Sequence, residues 1–364
     1  MPETLSADLL EWYRHHAADL PWRRTPTAYT TWLSEVMLQQ TQIETVIPYY
    51  HRFLEKCPTI QALAAISLAE VLKLWEGLGY YSRARHLHQT ARIISEQYGG
   101  IFPCDVTKLL DLPGIGRYTA GAIASITCGQ RVPVLDGNVI RVLTRLLDIP
   151  DDVTLPSVQN RLWQIAADFL PATQVGDYNQ ALMELGQKIC TPRQPDCARC
   201  PVQAMCQAYA AGTQLDRPVK KKKAATPHYD VAAGLIYDEQ GRLLIAQRPA
   251  EGLLGGLWEF PGGKQENGET LPACLQRELR EELAIEVEVG ALFVKVKHAF
   301  THFKITLHAF ECRYLGASAP HTEPQLLGAQ AYAWVTLDAL SQYSFGKADR
   351  EVIAALQQRN QMLF

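Results

Sequence analysis

No apolar run in this 364-residue chain approaches the roughly eighteen residues that a membrane-spanning helix needs. The first thirty residues carry Glu3, Asp8, Glu11 and Asp19 and lack a signal-peptide pattern, so a cytoplasmic, membrane-free location is expected. Charge of one sign is also scarce. The formal net charge is −3, and residues 1–225 hold 23 Lys+Arg against 21 Asp+Glu while the remainder holds 12 against 17. Such a balance does not announce a nucleic-acid partner, and any DNA contact must rest on local clusters. The nine cysteines are an odd number, which argues against a secreted disulfide framework. Five of them, Cys57, Cys104, Cys128, Cys274 and Cys312, stand isolated and are expected to be small core residues. Internal repeats and low-complexity tracts are lacking too. With 47% hydrophobic residues, the length suffices for two domains, each with its own core.

The other four cysteines, Cys190, Cys197, Cys200 and Cys206, fall in the spacing C-x6-C-x2-C-x5-C, with Pro192, Pro195 and Pro201 stiffening the loop. Four thiolates this close suit a [4Fe-4S] cluster or a structural zinc, and the six-residue first gap leans toward iron–sulfur. Four reduced cysteines in a loop are the bland alternative.

Residues 1–212 read as helical throughout. Ser67 and Glu70 form a capping box ahead of Leu68, Val71, Leu72 and Trp75, and Gly77-Leu-Gly79 ends that helix. A second helix carries Ala84, Leu87, Ala91 and Ile94 and stops at Gly99-Gly100. Residues 213–228, with Arg217-Pro218 and Lys220, Lys221, Lys222 and Lys223, read as an exposed basic linker, either lying along a phosphate backbone or merely solvated. From 229 the period becomes alternating. Strands at 229–237 and 242–248 flank a turn, a helix covers 271–283, and strand-like runs follow at 291–297 and 303–313. The second domain, 229–364, is thus α+β.

Three segments of the first domain carry chemistry. Leu112-Pro-Gly114-Ile-Gly116-Arg117-Tyr118 joins two helices through a turn that exposes amides at a helix N-terminus, where a DNA phosphate would fit; a plain turn is the alternative. Asp136, in Val134-Leu-Asp-Gly-Asn138, opens a helix with a buried stripe of Val139, Val142, Leu143 and Leu146. There the amides and dipole would hold it ionised, or it is simply an N-cap. In Trp32 to Gln42, Leu33, Val36, Met37 and Gln40 share one helical face and Glu35, Gln39 and Gln42 the other, toward water or toward a substrate cleft.

These pieces together resemble the helix-hairpin-helix DNA glycosylases related to endonuclease III. Ser34-Glu-Val-Met-Leu-Gln-Gln-Thr-Gln42, Gly77-Leu-Gly-Tyr-Tyr81 and Val134-Leu-Asp-Gly-Asn-Val139 are similar more narrowly to the MutY-type adenine DNA glycosylases. The resemblance implies a mostly α helix-hairpin-helix domain with a [4Fe-4S] loop over 190–206, followed by a Nudix (MutT)-like lesion-recognition domain. The implied activity is monofunctional release of adenine mispaired with 8-oxoguanine or guanine in duplex DNA, by a monomer. Glu35 resembles the acid that protonates the leaving adenine, Asp136 the carboxylate that stabilises the oxocarbenium-like sugar, and Asn138 a group orienting Asp136 or the sugar. Tyr118 stands where strand-cutting relatives carry a Schiff-base lysine. Gln39 and Tyr81 resemble residues that wedge into the base stack during extrusion, and Gly114 and Gly116 belong to the DNA-binding hairpin. Trp22, Arg23, Gln180 and Glu184 are candidates for the adenine pocket, with ordinary packing as the alternative for Trp22 and Glu184. Arg193 and Arg199 would present the cluster loop to phosphates.

In the second domain Phe300-Thr301-His302 resembles the loop that contacts 8-oxoguanine, with Thr301 where many relatives have Ser; a strand-end loop is the alternative. Gly263-x5-Glu269-x7-Arg277-Glu278-Leu279-x-Glu281-Glu282-x-Ala284 resembles a Nudix box in every defining position except the late glycine, here Ala284. Glu278, Glu281 and Glu282 would either hold Mg²⁺ in a second, pyrophosphohydrolase site or belong to a helix that only scaffolds lesion recognition. The scaffold is the favoured reading.

Overall fold

A computed structural model describes residues 2–221, 226–318 and 323–362. Lys222 and Lys223 of the basic run lie outside the described residues. The chain divides into two compact units, one of Met1–Ala65 with His86–Lys223, the other of Ile66–Arg85 with Ala224–Phe364. The segment 66–85, read from sequence as part of the helical domain, therefore groups with the C-terminal unit.

The helical elements are α1 (Pro2–His16), α2 (Pro21–Arg24), α3 (Ala28–Leu38), α4 (Ile43–Lys56), α5 (Ile60–Ala65), α6 (Leu68–Trp75), α7 (Ser82–Gln97), α8 (Val106–Leu110), α9 (Arg117–Cys128), α10 (Gly137–Leu146), α11 (Pro156–Asp168), α12 (Val175–Lys188) and α13 (Gln207–Ala211). The division between units falls inside α7.

Local chemistry sets the boundaries of the site-bearing helices. A reciprocal Thr27–Thr30 capping box starts α3, and Ser67–Glu70 does the same for α6. Both faces of α3 are buried, so its polar side does not meet bulk water. It ends at Leu38, which leaves Gln40 off the helix with φ 58; the expected apolar-face position for Gln40 is corrected accordingly. The middle of α9 is Ala120, Gly121, Ala122, Ile123, Ala124 and Ser125, all buried, and a Cβ at Gly121 would stand 2.4 Å from the Pro133 carbonyl oxygen. Small side chains let α9 lie close to α3 and α12, while α12 also packs on α1 and α10.

One correction concerns the isolated cysteines. Cys104, just before α8, and Cys128, at the end of α9, form a disulfide that closes the base of the helical hairpin. Their separation of 24 residues concealed a pairing that only the folding back of α8 and α9 creates. The expected free linker is also strapped down. Thr213 Oγ1 donates to Asp148 Oδ1 at 2.6 Å, Arg217 pairs with Asp148, and Val153 N donates to the Val219 carbonyl at 3.0 Å.

The second unit is a seven-stranded sheet of β1 (His228–Tyr237), β2 (Leu243–Gln247), β3 (Trp258–Glu259), β4 (Gly262–Lys264), β5 (Ile285–Ala299), β6 (Lys304–Ala317) and β7 (Ala331–Val335), with the order β3-β2-β1-β6-β5. Strands β1 and β6 run parallel, His228 facing Lys304 through Tyr237 facing Arg313. Alternation along β1 sends Ala233 and Leu235 to one core and Ala232 and Ile236 to the other. The first core includes Val352 and Leu356 of α15 (Lys347–Met362), the second Leu275, Leu279 and Leu283 of α14 (Leu271–Leu283). The sheet is thereby covered on both faces.

Candidate active site

Glu35 from α3, Tyr118 from the first turn of α9, and Asp136 with Asn138 from the start of α10 line one cleft of about 930 Å³ in the helical unit. Gln39, Trp22, Arg23, Gln180, Glu184 and Gly116 line it as well. Glu35 is only 7% exposed, which rules out the wet-surface alternative for its helix face. Burial pushes its pKa up to about 7; the Tyr118 hydroxyl, donating to Oε2 at 2.6 Å, pulls the other way, and the nearby Asp136 charge adds to the rise. Burial likewise raises the Tyr118 phenol well above its ordinary value, and Glu35 and Asp136 reinforce the effect.

Asp136 is both an N-cap and a cleft residue, so its two readings are compatible. Its Oδ1 accepts from Val139 N at 2.7 Å and its Oδ2 from Asn138 Nδ2 at 2.8 Å. Burial lifts its pKa above the usual aspartate value, against these donors and the Arg141 charge. Two carboxyls thus share one cavity with different donor sets.

Behind Asn138 runs a pair of arginines that sequence reading passed over. Arg141 Nη2 donates to Asn138 Oδ1 at 2.8 Å and to the Gly186 carbonyl at 2.5 Å, while its Nε donates to the Cys190 carbonyl at 2.7 Å. Arg145, 2% exposed, donates to Cys190 Sγ at 3.3 Å, to the Thr191 carbonyl at 2.7 Å and to the Arg217 carbonyl at 3.2 Å. The available signal was two arginines four residues apart beside the apolar stripe of α10, each needing buried acceptors.

At the cleft wall Arg23 Nη1 donates to Glu184 Oε2 at 2.5 Å, and Glu184 Oε1 accepts from Ala18 N at 2.9 Å. Burial would raise Glu184, but Lys188 and Arg23 together bring it below the usual range. Trp22 is buried edge-on to Tyr50. Gln39 Nε2 lies 3.5 Å from Thr119 Oγ1. In the hairpin Gly114 has φ +74, and a Cβ there would stand 2.6 Å from His86 Cβ; Gly116 caps α9 facing open space.

The four-cysteine loop follows α12. Cys190, Cys197, Cys200 and Cys206 are unbridged and lie within electrostatic reach of one another. Burial pushes the Cys200 thiol up to about 12. Among the described residues no three His, Cys, Asp or Glu side chains converge where a single ion would sit. Arg193 and Arg199 are exposed, though Arg199 already pairs with Asp196.

In the second unit Phe300, Thr301 and His302 occupy the turn between β5 and β6, closed by Phe300 N donating to the Phe303 carbonyl at 2.8 Å. Thr301 and His302 are exposed, and Phe300 meets His298 edge-on and Phe303 at a tilt. Tyr81 does not suit the expected wedge: it is 4% exposed, and its hydroxyl accepts from Gly77 N. Its neighbour Tyr80, at φ 49, is 44% exposed and its hydroxyl lies 2.9 Å from Thr301 Oγ1. In the Nudix-like box Arg277 pairs with Glu269, Glu278 and Glu281. Burial, with repulsion from Glu259 and Glu278, pushes Glu282 up to about 7.

A helical hairpin beside one buried and one half-buried carboxyl, with a sheet-and-helix domain in series, defines the class as a helix-hairpin-helix base-excision protein joined to a Nudix domain. Residues 33–167 match the HhH-GPD superfamily of base excision DNA repair proteins, and residues 232–355 match the NUDIX domain. An adenine DNA glycosylase of Rattus norvegicus is 39% identical over 90% of this chain and 73% of its own length, and one of Homo sapiens is 37% identical over 96% and 73%. Among solved structures, a thermostable thymine-DNA glycosylase superposes with a TM-score of 0.52 at 28% identity, covering 58% of this chain and 97% of that one. The chain belongs to the adenine DNA glycosylase family.

Proposed function

We propose that this chain hydrolyses the N-glycosidic bond of adenine mispaired with 8-oxoguanine or guanine in duplex DNA, acting as a single chain. The observation that carries the reading is the convergence of Glu35 and Asp136 on one cleft, with Tyr118 hydrogen-bonded to Glu35. Glu35, held at about 7, retains a proton near neutrality and delivers it to the departing adenine. As the bond breaks, positive charge develops on the sugar; Asp136 faces it, Asn138 fixes Asp136, and water then adds to the sugar carbon while its proton passes to the carboxylate left at Glu35. Tyr118 offers a phenol where an imine would need an amine, which supports base release without strand cleavage. Glu184 and Arg23 form the polar wall suited to the edge of a purine. Extrusion of the base falls to Gln39 and to Tyr80 in place of Tyr81.

Cys190, Cys197, Cys200 and Cys206 would hold a [4Fe-4S] cluster. The donor set fits: four free sulfurs on one loop, and an Arg145 N–H directed at Cys190 Sγ. When bound, the group would order the loop that carries Arg193 and Arg199 and take no part in hydrolysis. For the second unit we favour a lesion-reading scaffold, Thr301 and Tyr80 forming the contact, because Arg277 is engaged in tying the 263–269 loop to α14. Glu35→Gln should abolish adenine release from a duplex with one 8-oxoguanine:A pair while leaving duplex binding largely intact. Retained release would remove Glu35 from the mechanism.

A further inference from the structure

Gly186 lies inside α12, where its backbone is ordinary helix and nothing in its conformation calls for glycine. Glycine is the poorest helix former after proline, so its presence there needs a gain elsewhere. The gain is space. A Cβ at Gly186 would stand 2.7 Å from Asn138 Cβ and 3.1 Å from both Asn138 Cα and its carbonyl oxygen. The close glycines Gly121 and Gly176 meet the backbone of Pro133 and of Ser125–Ile126, which is general packing; Gly186 meets the residue that holds Asp136.

Asn138 has no easy retreat. Its carboxamide donates to Asp136 Oδ2 at 2.8 Å and accepts from Arg141 Nη2 at 2.8 Å, and the same guanidinium nitrogen donates to the Gly186 carbonyl at 2.5 Å. One residue therefore supplies both the gap into which Asn138 fits and the acceptor that aims Arg141 at it. We infer that Gly186 is a positioning residue for the glycosylase reaction, setting the height of Asn138 and through it the direction of Asp136. The inference rests on the stabilising role proposed for Asp136.

The test is single-turnover adenine release from an 8-oxoguanine:A duplex by Gly186→Ala. The expected result is a fall of about 10- to 100-fold in the rate of the chemical step, as a displacement near 1 Å at a reacting group costs. Binding of a duplex carrying a non-cleavable adenine analogue should change less than about threefold. The acidic limb of the rate profile should move to higher pH, because Asp136 loses a donor to its anion; the other groups facing it, Glu35 from α3, Tyr118 from α9 and Arg141 on its own helix, are unchanged. A wild-type rate, or a reduced rate with no shift of the limb, overturns the inference. Asn138→Gly removes the obstructing Cβ. In that background Gly186→Ala should cost less than about threefold more, and a full additive loss would show that the glycine does not act through the Asn138 side chain, overturning the inference. If Gly186→Ala fails to fold but the double variant folds with the rate of Asn138→Gly alone, the inference stands; failure of both overturns it. Asp136→Asn separates the two levels: retained release defeats the role of Asp136, whereas lost release with a normal Gly186→Ala defeats only the positioning.

Discussion

A carboxyl whose pKa burial has carried to about 7 is half protonated at neutral pH, and the rate of base release should follow that proton. Release measured in single turnover should fall as pH rises through about 7. Tyr118→Phe removes the donor that favours the Glu35 anion, so the alkaline limb should move upward; a limb that stays in place would separate Tyr118 from the acid. The same shift is a stability statement. Because the folded-state pKa is raised, the proton's contribution is fully present below the unfolded value of 4.5 and is lost as pH rises through about 7. Glu35→Gln should therefore gain stability relative to the parent above pH 7, by of order 3 kcal/mol, with little difference near pH 4, readable as denaturant midpoints at the two pH values. Glu35, Asp136 and Asn138 were legible as candidates because the motifs around them resemble those of a known family. Their environment was not: nothing in the string shows that the polar side of α3 is buried, or which of two adjacent tyrosines turns inward. At Tyr80 the left-handed backbone decides that, leaving Tyr80 exposed and Tyr81 enclosed.

Among the elements, α14 ends in a way that its sequence alone flags. Ala284, where the related box has glycine, takes φ 52 as the C-cap residue. A side chain in the left-handed region costs about 1 kcal/mol, so Ala284→Gly should raise stability by about that amount, measured as a shift in denaturant midpoint without a change in slope. A capping box at the start of α6 and a glycine stop after α7 were legible in the sequence because those signals are local. Strands β3, β4 and β7 escaped it, being two to five residues long with too little alternation to register. In β5 the register shifts after Glu286, Val289 and Leu292 break the alternation, which is why only 291–297 of Ile285–Ala299 read as a strand. The Cys104–Cys128 bond was illegible for another reason: it depends on two helices folding back on each other.

For the whole molecule, the two-part composition in order along the chain was plain from the change in periodicity, but the membership of 66–85 was not. That segment is tied to the C-terminal unit by Glu76 accepting from Phe345 N at 3.0 Å, by Lys73 donating to the Tyr343 carbonyl at 3.1 Å, and by Arg85 donating to the Gly255 carbonyl at 2.8 Å. Such contacts come from residues 170 to 270 positions away and leave no local trace. Removing residues 224–364 should speed amide hydrogen exchange over residues 76–85 by about tenfold or more while leaving α9 and α10 as slow as before. Unchanged exchange there would show that these ties add nothing to local order.

The discontinuity has a consequence for biosynthesis. During translation Ile66–Arg85 emerges long before Gly255, Tyr343 and Phe345, and at about 5–20 residues per second the wait for these partners is roughly 10 to 50 seconds. Throughout that interval Lys73 awaits the Tyr343 carbonyl, Glu76 the Phe345 amide and Arg85 the Gly255 carbonyl. This stretch of the nascent chain reaches its final surroundings only after Phe345 has been added.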